Sequence, residues 1–132
     1  MKKTNIITFL FLMVLFISGC KKDKMPIQDG IYTGTFTVTY SNGSQTGPVT
    51  IELKNRTYTS SSNSNRIPAG GSGTFQVNKN KMIFSDDKMW TADFDWNLIL
   101  NGEYEAVFDG KKLTLSANKN NVGNYRYELE KQ

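Results

Sequence analysis

The residues able to do chemistry are few, and their types narrow what the chain does. Histidine is absent, and cysteine occurs once, at Cys20. Without imidazole there is no general base poised near neutral pH and no nitrogen ligand for zinc. Carboxylates gather in one stretch, where Asp86, Asp87, Asp93 and Asp95 are interleaved with Trp90, Phe94 and Trp96. Such a cluster could supply a glycosidase-like carboxylate pair, hold Ca²⁺ through oxygens, or let a sugar ring stack on Trp90. It lacks EF-hand spacing and the glycine that bends such a loop, and acids around a loop are usually solvated turn formers. The simplest expectation is a short helical turn plugging one end of the domain, with Trp90 and Trp96 in the core. No enzymatic activity, no cofactor and no resident metal are expected.

What precedes Cys20 decides its chemistry. Lys2 and Lys3 form a positive start, and residues 6–17 are apolar except for Thr8. Twelve residues are too few to span a bilayer as a helix, which takes roughly twenty, so residues 1–19 read as a cleaved secretory signal. The stretch ends in Ile17-Ser18-Gly19-Cys20, which matches the bacterial lipobox. The small residues admit the backbone to a peptidase cleft, and the cysteine sulfur accepts a diacylglyceryl group. Cys20 is therefore expected to be the lipidated first residue of the mature protein and to hold it on a membrane. Two or more acyl chains make such an anchor stable. With that cysteine spent, the exported domain has neither a disulfide nor a free thiol.

Residues 20–29 read as a tether, carrying the charged run Lys21-Lys22-Asp23-Lys24 and then Pro26 and Asp29. Its lysines suit anionic headgroups, and Lys21-Lys22-Asp23 resembles the lysine-plus-acid signal that sends some Gram-negative lipoproteins to the cell surface. The chain has 16 basic and 12 acidic residues, but those from Gly30 onward comprise 11 and 10. A domain so near neutrality, with no basic stripe visible along its sequence, is not expected to bind nucleic acid. The localisation expected is the cell envelope, on the periplasmic or outer face of the outer membrane.

From Gly30 onward the apolar residues alternate. Tyr32, Phe36, Val38 and Tyr40 share one parity, with Gly34 marking a bulge or a close approach. Val49, Ile51 and Leu53 follow the turn at Ser41-Asn42-Gly43-Ser44, and Thr57 to Ser62 reads as a rim strand. Phe75 and Val77 lead to a turn at Asn78-Lys79-Asn80 and then to Met82–Ser85. Trp96, Leu98 and Leu100 alternate up to Asn101-Gly102, a two-residue hairpin signal. Tyr104, Ala106 and Phe108 run to Asp109-Gly110; Leu113, Leu115 and Ala117 run to Asn118–Asn121; Tyr125, Tyr127 and Leu129 close the chain. Residues 60–73, rich in Ser, Asn and Gly, read as a flexible loop. The expected fold is all-β: an antiparallel up-and-down meander of about eight strands closing into a small barrel, with a two-sheet sandwich as the alternative.

The chain resembles the small lipocalin-like (calycin) lipoproteins of Gram-negative bacteria over roughly residues 29–131. The resemblance rests on the opening Asp29-Gly30-Ile31-Tyr32-Thr33-Gly34, on Asn101-Gly102-Glu103-Tyr104, on Asp109-Gly110-Lys111-Lys112-Leu113-Thr114-Leu115, and on the tyrosine-rich last strand. Lipocalins carry Gly-x-Trp in the first strand where this chain has Gly30-x-Tyr32. The resemblance implies a barrel that holds a small apolar or amphipathic ligand. The inward aromatics Tyr32, Phe36, Trp90, Trp96, Tyr104, Tyr125 and Tyr127 are the residues that would line it. Fatty-acid-binding relatives use an inward arginine near the C-terminus; Arg126 alternates with Tyr125 and Tyr127 and is expected to face solvent. The second expectation is an interaction protein, such as an inhibitor or accessory subunit of an envelope complex. A filled interior favours the protein partner, and an open one the ligand.

Overall fold

The computed structural model describes residues 25–91 and 93–132. The expected signal peptide and Cys20 lie outside the described residues. Eight strands follow one another: β1 (Gly30–Tyr40), β2 (Gly43–Lys54), β3 (Thr57–Ser60), β4 (Gly71–Asn78), β5 (Lys81–Asp86), β6 (Gly102–Phe108), β7 (Lys112–Lys119) and β8 (Gly123–Lys131). Each pairs antiparallel with the next, and β8 returns to pair with β1, so the sheet closes into a barrel. The up-and-down barrel is thus the fold, and the sandwich is excluded. Closure lies wholly within Gly30–Lys131 and borrows no strand from elsewhere.

Period-two alternation fixes which side chains fill the barrel. Tyr32, Phe36 and Val38 of β1, and Tyr125, Tyr127 and Leu129 of β8, are all buried. Their neighbours Thr35, Thr39, Arg126 and Glu128 are exposed. At the parity of the apolar face, Gly34 is where β8 comes closest: a Cβ there would overlap the backbone carbonyl of Glu128. Turn chemistry sets the hairpins. Asn55 and Arg56 both take positive φ (51° and 64°), the geometry whose twist matches that of paired strands. Asp109 accepts hydrogen bonds from the backbone N–H of Lys111 (2.9 Å) and Lys112 (2.7 Å).

The barrel has two unlike ends. At the base lie three short turns, at 55–56, 79–80 and 109–111. Residues 25–29, expected as tether, pack there: Met25 and Ile27 lie against the core, and Tyr32 donates its hydroxyl proton to the Gln28 carbonyl at 2.6 Å. At the opposite end, the loop end, lie the long connections 61–70 and 87–101.

Four expectations about the loop end are corrected. Residues 96–100 do not form a strand: Trp96–Leu98 is a 3-10 helix, and Leu98, Ile99 and Leu100 are buried consecutively. Asn101-Gly102 is not a hairpin, because β5 reaches β6 only through the connection 87–101. Trp96 is not in the core; it is 54% exposed. Trp90 is half-buried at the surface of the core. The plug is instead made by Leu98–Leu100 with Ile67 and Ala69, which are also buried. The two loops are stitched by backbone bonds from Ala69 N–H to the Leu98 carbonyl (3.0 Å) and from Leu100 N–H to the Gly70 carbonyl (2.8 Å).

The segment 61–70 is accordingly held rather than loose. Asn63 donates through Nδ2 to the Ile67 carbonyl (2.7 Å), and its Oδ1 accepts from the N–H of Ile67 (3.0 Å). β4 begins at Gly71, within the stretch expected to be flexible.

Candidate functional site at the loop end

The interior comes first, since five of the seven aromatics named above face into it. Phe36 lies 4.6 Å from Tyr127, Tyr104 lies 5.8 Å from Tyr127 and 5.9 Å from Phe84, and Phe84 lies 4.9 Å from Tyr58, between ring centroids. Phe36–Tyr127 and Tyr104–Phe84 join rings of neighbouring strands, whereas Tyr104–Tyr127 and Phe84–Tyr58 join rings from strands that are not paired, all at separations typical of packed aromatic pairs. Tyr32 packs edge-on against Phe108 (6.1 Å) at the base. The rings therefore occupy the space that a ligand in the barrel would need. Tyr127 is fully buried, and its hydroxyl has no hydrogen-bond partner among the described residues.

A polar cluster lies above those rings, built from four elements. Tyr40 ends β1, Tyr125 is the third residue of β8, Lys119 ends β7, and Asp95 caps the 3-10 helix. One Asp95 oxygen accepts from the hydroxyls of Tyr125 (2.7 Å) and Tyr40 (2.8 Å), and the other accepts from the Asn97 backbone N–H (2.9 Å). Burial alone would raise the Asp95 carboxyl, but hydrogen bonds from Tyr125, Asn97 and Tyr40 outweigh it and hold it below its usual value. Burial and then the Asp95 carboxylate push the Tyr40 hydroxyl up to about 12 and raise that of Tyr125.

Lys119 donates to the Tyr104 hydroxyl (2.9 Å) and the Asn101 carbonyl (2.7 Å), with its ammonium 4.5 Å from the centre of the Tyr104 ring. Burial lowers its pKa to about 8, against a smaller opposing pull from Asp95. The cluster's hydrogen bonds run between its own residues, so it latches the 95–101 segment to β1, β7 and β8.

A pH effect follows. Between about pH 8 and 10.5 the unfolded chain holds a Lys119 proton that the folded chain has lost, so the Lys119 contribution to stability rises with pH across that window. Below pH 8 both states are protonated and the penalty is constant. Above about pH 10 the unfolded tyrosines ionise before the buried ones, and stability falls. Lys119→Met is expected to flatten the rise, which solvent screening limits to about 1–2 kcal/mol. Urea unfolding from pH 7 to 10 measures it, and an unchanged slope in the variant would refute the assignment.

The outer surface of the same end is apolar and acidic. Asp86 accepts from the Ser72 backbone N–H (2.9 Å) and from the Trp90 indole (2.6 Å), pinning one end of the 87–97 loop as Asp95 pins the other. Between the pins, Met89 is 95% exposed, and the Trp96 indole donates to the Thr91 carbonyl at 3.1 Å. The Arg66 guanidinium lies 4.5 Å over the Phe94 ring and pairs with Asp93 at 3.4 Å. Among the described residues no three carboxylates converge on one point. Arg126 is exposed and pairs with Glu128 (3.4 Å), as its parity required.

Trp90 and Trp96 thus belong to this outer surface, while Tyr32, Phe36, Tyr104, Tyr125 and Tyr127 belong to the core. Tyr40 and Lys119 were not singled out from the sequence. The signal for both was present: each continues the inward parity of its strand to the last residue before a turn. Comparison of the chain with protein-family models, with curated proteins and with solved structures finds no match.

Proposed function

We propose that this is a lipid-anchored envelope lipoprotein whose barrel acts as an interaction module, presenting the 87–97 loop to a protein partner. The carrying observation is Trp96, half-exposed beside the fully exposed Met89 on a loop pinned at both ends. Exposed tryptophan and methionine are enriched in interface centres, and a pre-ordered loop loses little entropy on binding. The filled interior favours this reading over a ligand carried in a lipocalin-like barrel. The lipobox at Ile17–Cys20 supports anchoring through Cys20, on the periplasmic or outer face of the outer membrane.

A photo-crosslinking residue at position 96 is expected to give a discrete protein adduct in envelope extracts, whereas one at Val107, on the barrel wall, gives none. Trp96→Ala should weaken the captured complex about thirtyfold, the scale of an interface hot spot. Equal adducts from both positions, or a small molecule retained by the purified barrel in native mass spectrometry, would overturn the reading.

A further inference from the structure

The near-neutral total conceals an uneven distribution of charge. An up-and-down meander places every second turn at the same end, and here those turns share a sign. Lys54 and Arg56 flank or form the first base turn, Lys79 and Lys81 the second, and Lys111 and Lys112 the third, with Lys131 at the end of β8. Against these seven cations the base has Asp29, Asp109 and Glu130, with Glu103 and Glu105 beside Lys81. Glu130 engages Lys111 at 2.9 Å, and Lys81 is held by Glu103 at 2.6 Å. Asp109 caps its own turn. Lys54, Arg56, Lys79, Lys112 and Lys131 have no ion pair among the described residues. The loop end carries the opposite balance, with Asp86, Asp87, Asp93 and Asp95 against Arg66, Lys88 and Lys119.

The chain enters at the basic end. Met25 packs beneath the barrel there, and Cys20 precedes it by five residues. Five residues of fully extended chain reach about 18 Å at most. Lipid on Cys20 would therefore hold this end, and not the loop end, against the bilayer, with Lys21, Lys22 and Lys24 in the intervening segment.

We infer that the base is a docking face for the anionic headgroups of the membrane that carries the anchor. This rests on the lipoprotein reading for its location, though not for its chemistry. Docking sets the barrel upright: five unpaired cations meet headgroup phosphates, and the acidic loop end, with Trp96 and Met89, is directed away from the surface. The orientation makes the 87–97 loop available to a partner approaching from the aqueous side.

Because the closed sheet needs no residue before Met25, residues 21–132 carry the whole barrel and can be tested without lipid. They are expected to co-sediment with phosphatidylcholine vesicles containing phosphatidylglycerol, but not with phosphatidylcholine alone, and to be released by salt. Replacing Lys54, Arg56, Lys79 and Lys112 together by glutamine should weaken this at least about tenfold, since each cation near such a surface is worth about fivefold. Lys88→Gln with Arg126→Gln, which removes cations elsewhere, should leave it unchanged. Circular dichroism and tryptophan emission confirm that each variant keeps its fold. Binding that survives the fourfold base substitution, or no preference for the anionic vesicle, would overturn the inference. So would tighter binding to a duplex DNA oligonucleotide than to those vesicles, which would make the base a nucleic-acid surface. Acylation is read separately, as an added lipid mass on Cys20 of the full chain expressed in bacteria. Its absence would remove the anchor while leaving the vesicle result standing.

Discussion

Gly34→Ala is expected to destabilise the barrel by about 3 kcal/mol or more, at the top of the range for overpacking a well-filled site. The added methyl group would overlap the Glu128 carbonyl, which belongs to backbone and cannot swing away as a side chain could. Relief requires β1 and β8 to part, and Gly34 sits in the seam where Thr33–Thr37 face Glu130–Arg126. Conformational freedom is not the issue at this position; space is. Thr37→Ala, at a half-buried position on the outward face of the same strand, should cost less than about 1 kcal/mol. Urea unfolding of the two variants side by side tests this. If Gly34→Ala unfolds within about 1 kcal/mol of the parent, the close approach of the two strands is not as described.

Asp95→Ala should lower stability by about 3 kcal/mol and Tm by about 10 °C or more. Two tyrosine hydroxyls lose their acceptor and the 3-10 helix loses its cap. Hydrogen bonds to charged groups are worth about 1.5–3 kcal/mol each, and the half-exposed position of Asp95 keeps the total near the lower bound. The pH dependence has a definite sign. The folded carboxyl titrates below its ordinary 3.8, so its stabilisation is complete above that value and is lost as pH falls through the lower folded value. Asp95→Ala should therefore lose less stability than the parent as pH falls below about 4, with Asp93, Asp109 and Glu130 supplying the acid sensitivity that remains. A double-mutant cycle with Tyr125→Phe measures the coupling; additive losses would show that the pair does not act as a latch. Tryptophan emission, from Trp90 and Trp96 on the outer loop, reports whether that loop loosens with it.

Much of the fold was legible because burial in a barrel alternates with period two. Tyr32, Phe36 and Val38, then Tyr125, Tyr127 and Leu129, announce the face they bury, and asparagine- or aspartate-containing turns separate the strands. The error at 96–100 came from reading Trp96, Leu98 and Leu100 as one face and passing over Ile99. An apolar residue between two others contradicts a half-buried strand, and it marked a segment buried on all sides. Asn101-Gly102 is turn-forming chemistry in either setting, so the pair alone could not tell a hairpin from the end of a plug.

The polar latch was hidden for a different reason. Asp95 stands among three similar acids, and its partners Tyr40 and Tyr125 lie 55 and 30 residues away. Only the closed sheet brings them together. The basic base was easier in principle. Counting charge along the chain gave near-neutrality, whereas assigning turns alternately to two ends would have separated the lysines from the aspartates.

The pairing of β1 with β8 also governs how this chain must fold. Tyr32 lies opposite Lys131, so closing the sheet joins the two extremes of the domain. Contacts of such sequence separation place a chain among slow folders, in the range of milliseconds to seconds. A chain still lacking Gly123–Lys131 would leave the flanks of β1 and β7 open, each able to capture a strand from another molecule. A chain that emerges N-terminus first therefore passes through a stage in which nearly the whole domain is present but cannot yet protect itself, and its yield depends on what shields β1 until Lys131 arrives.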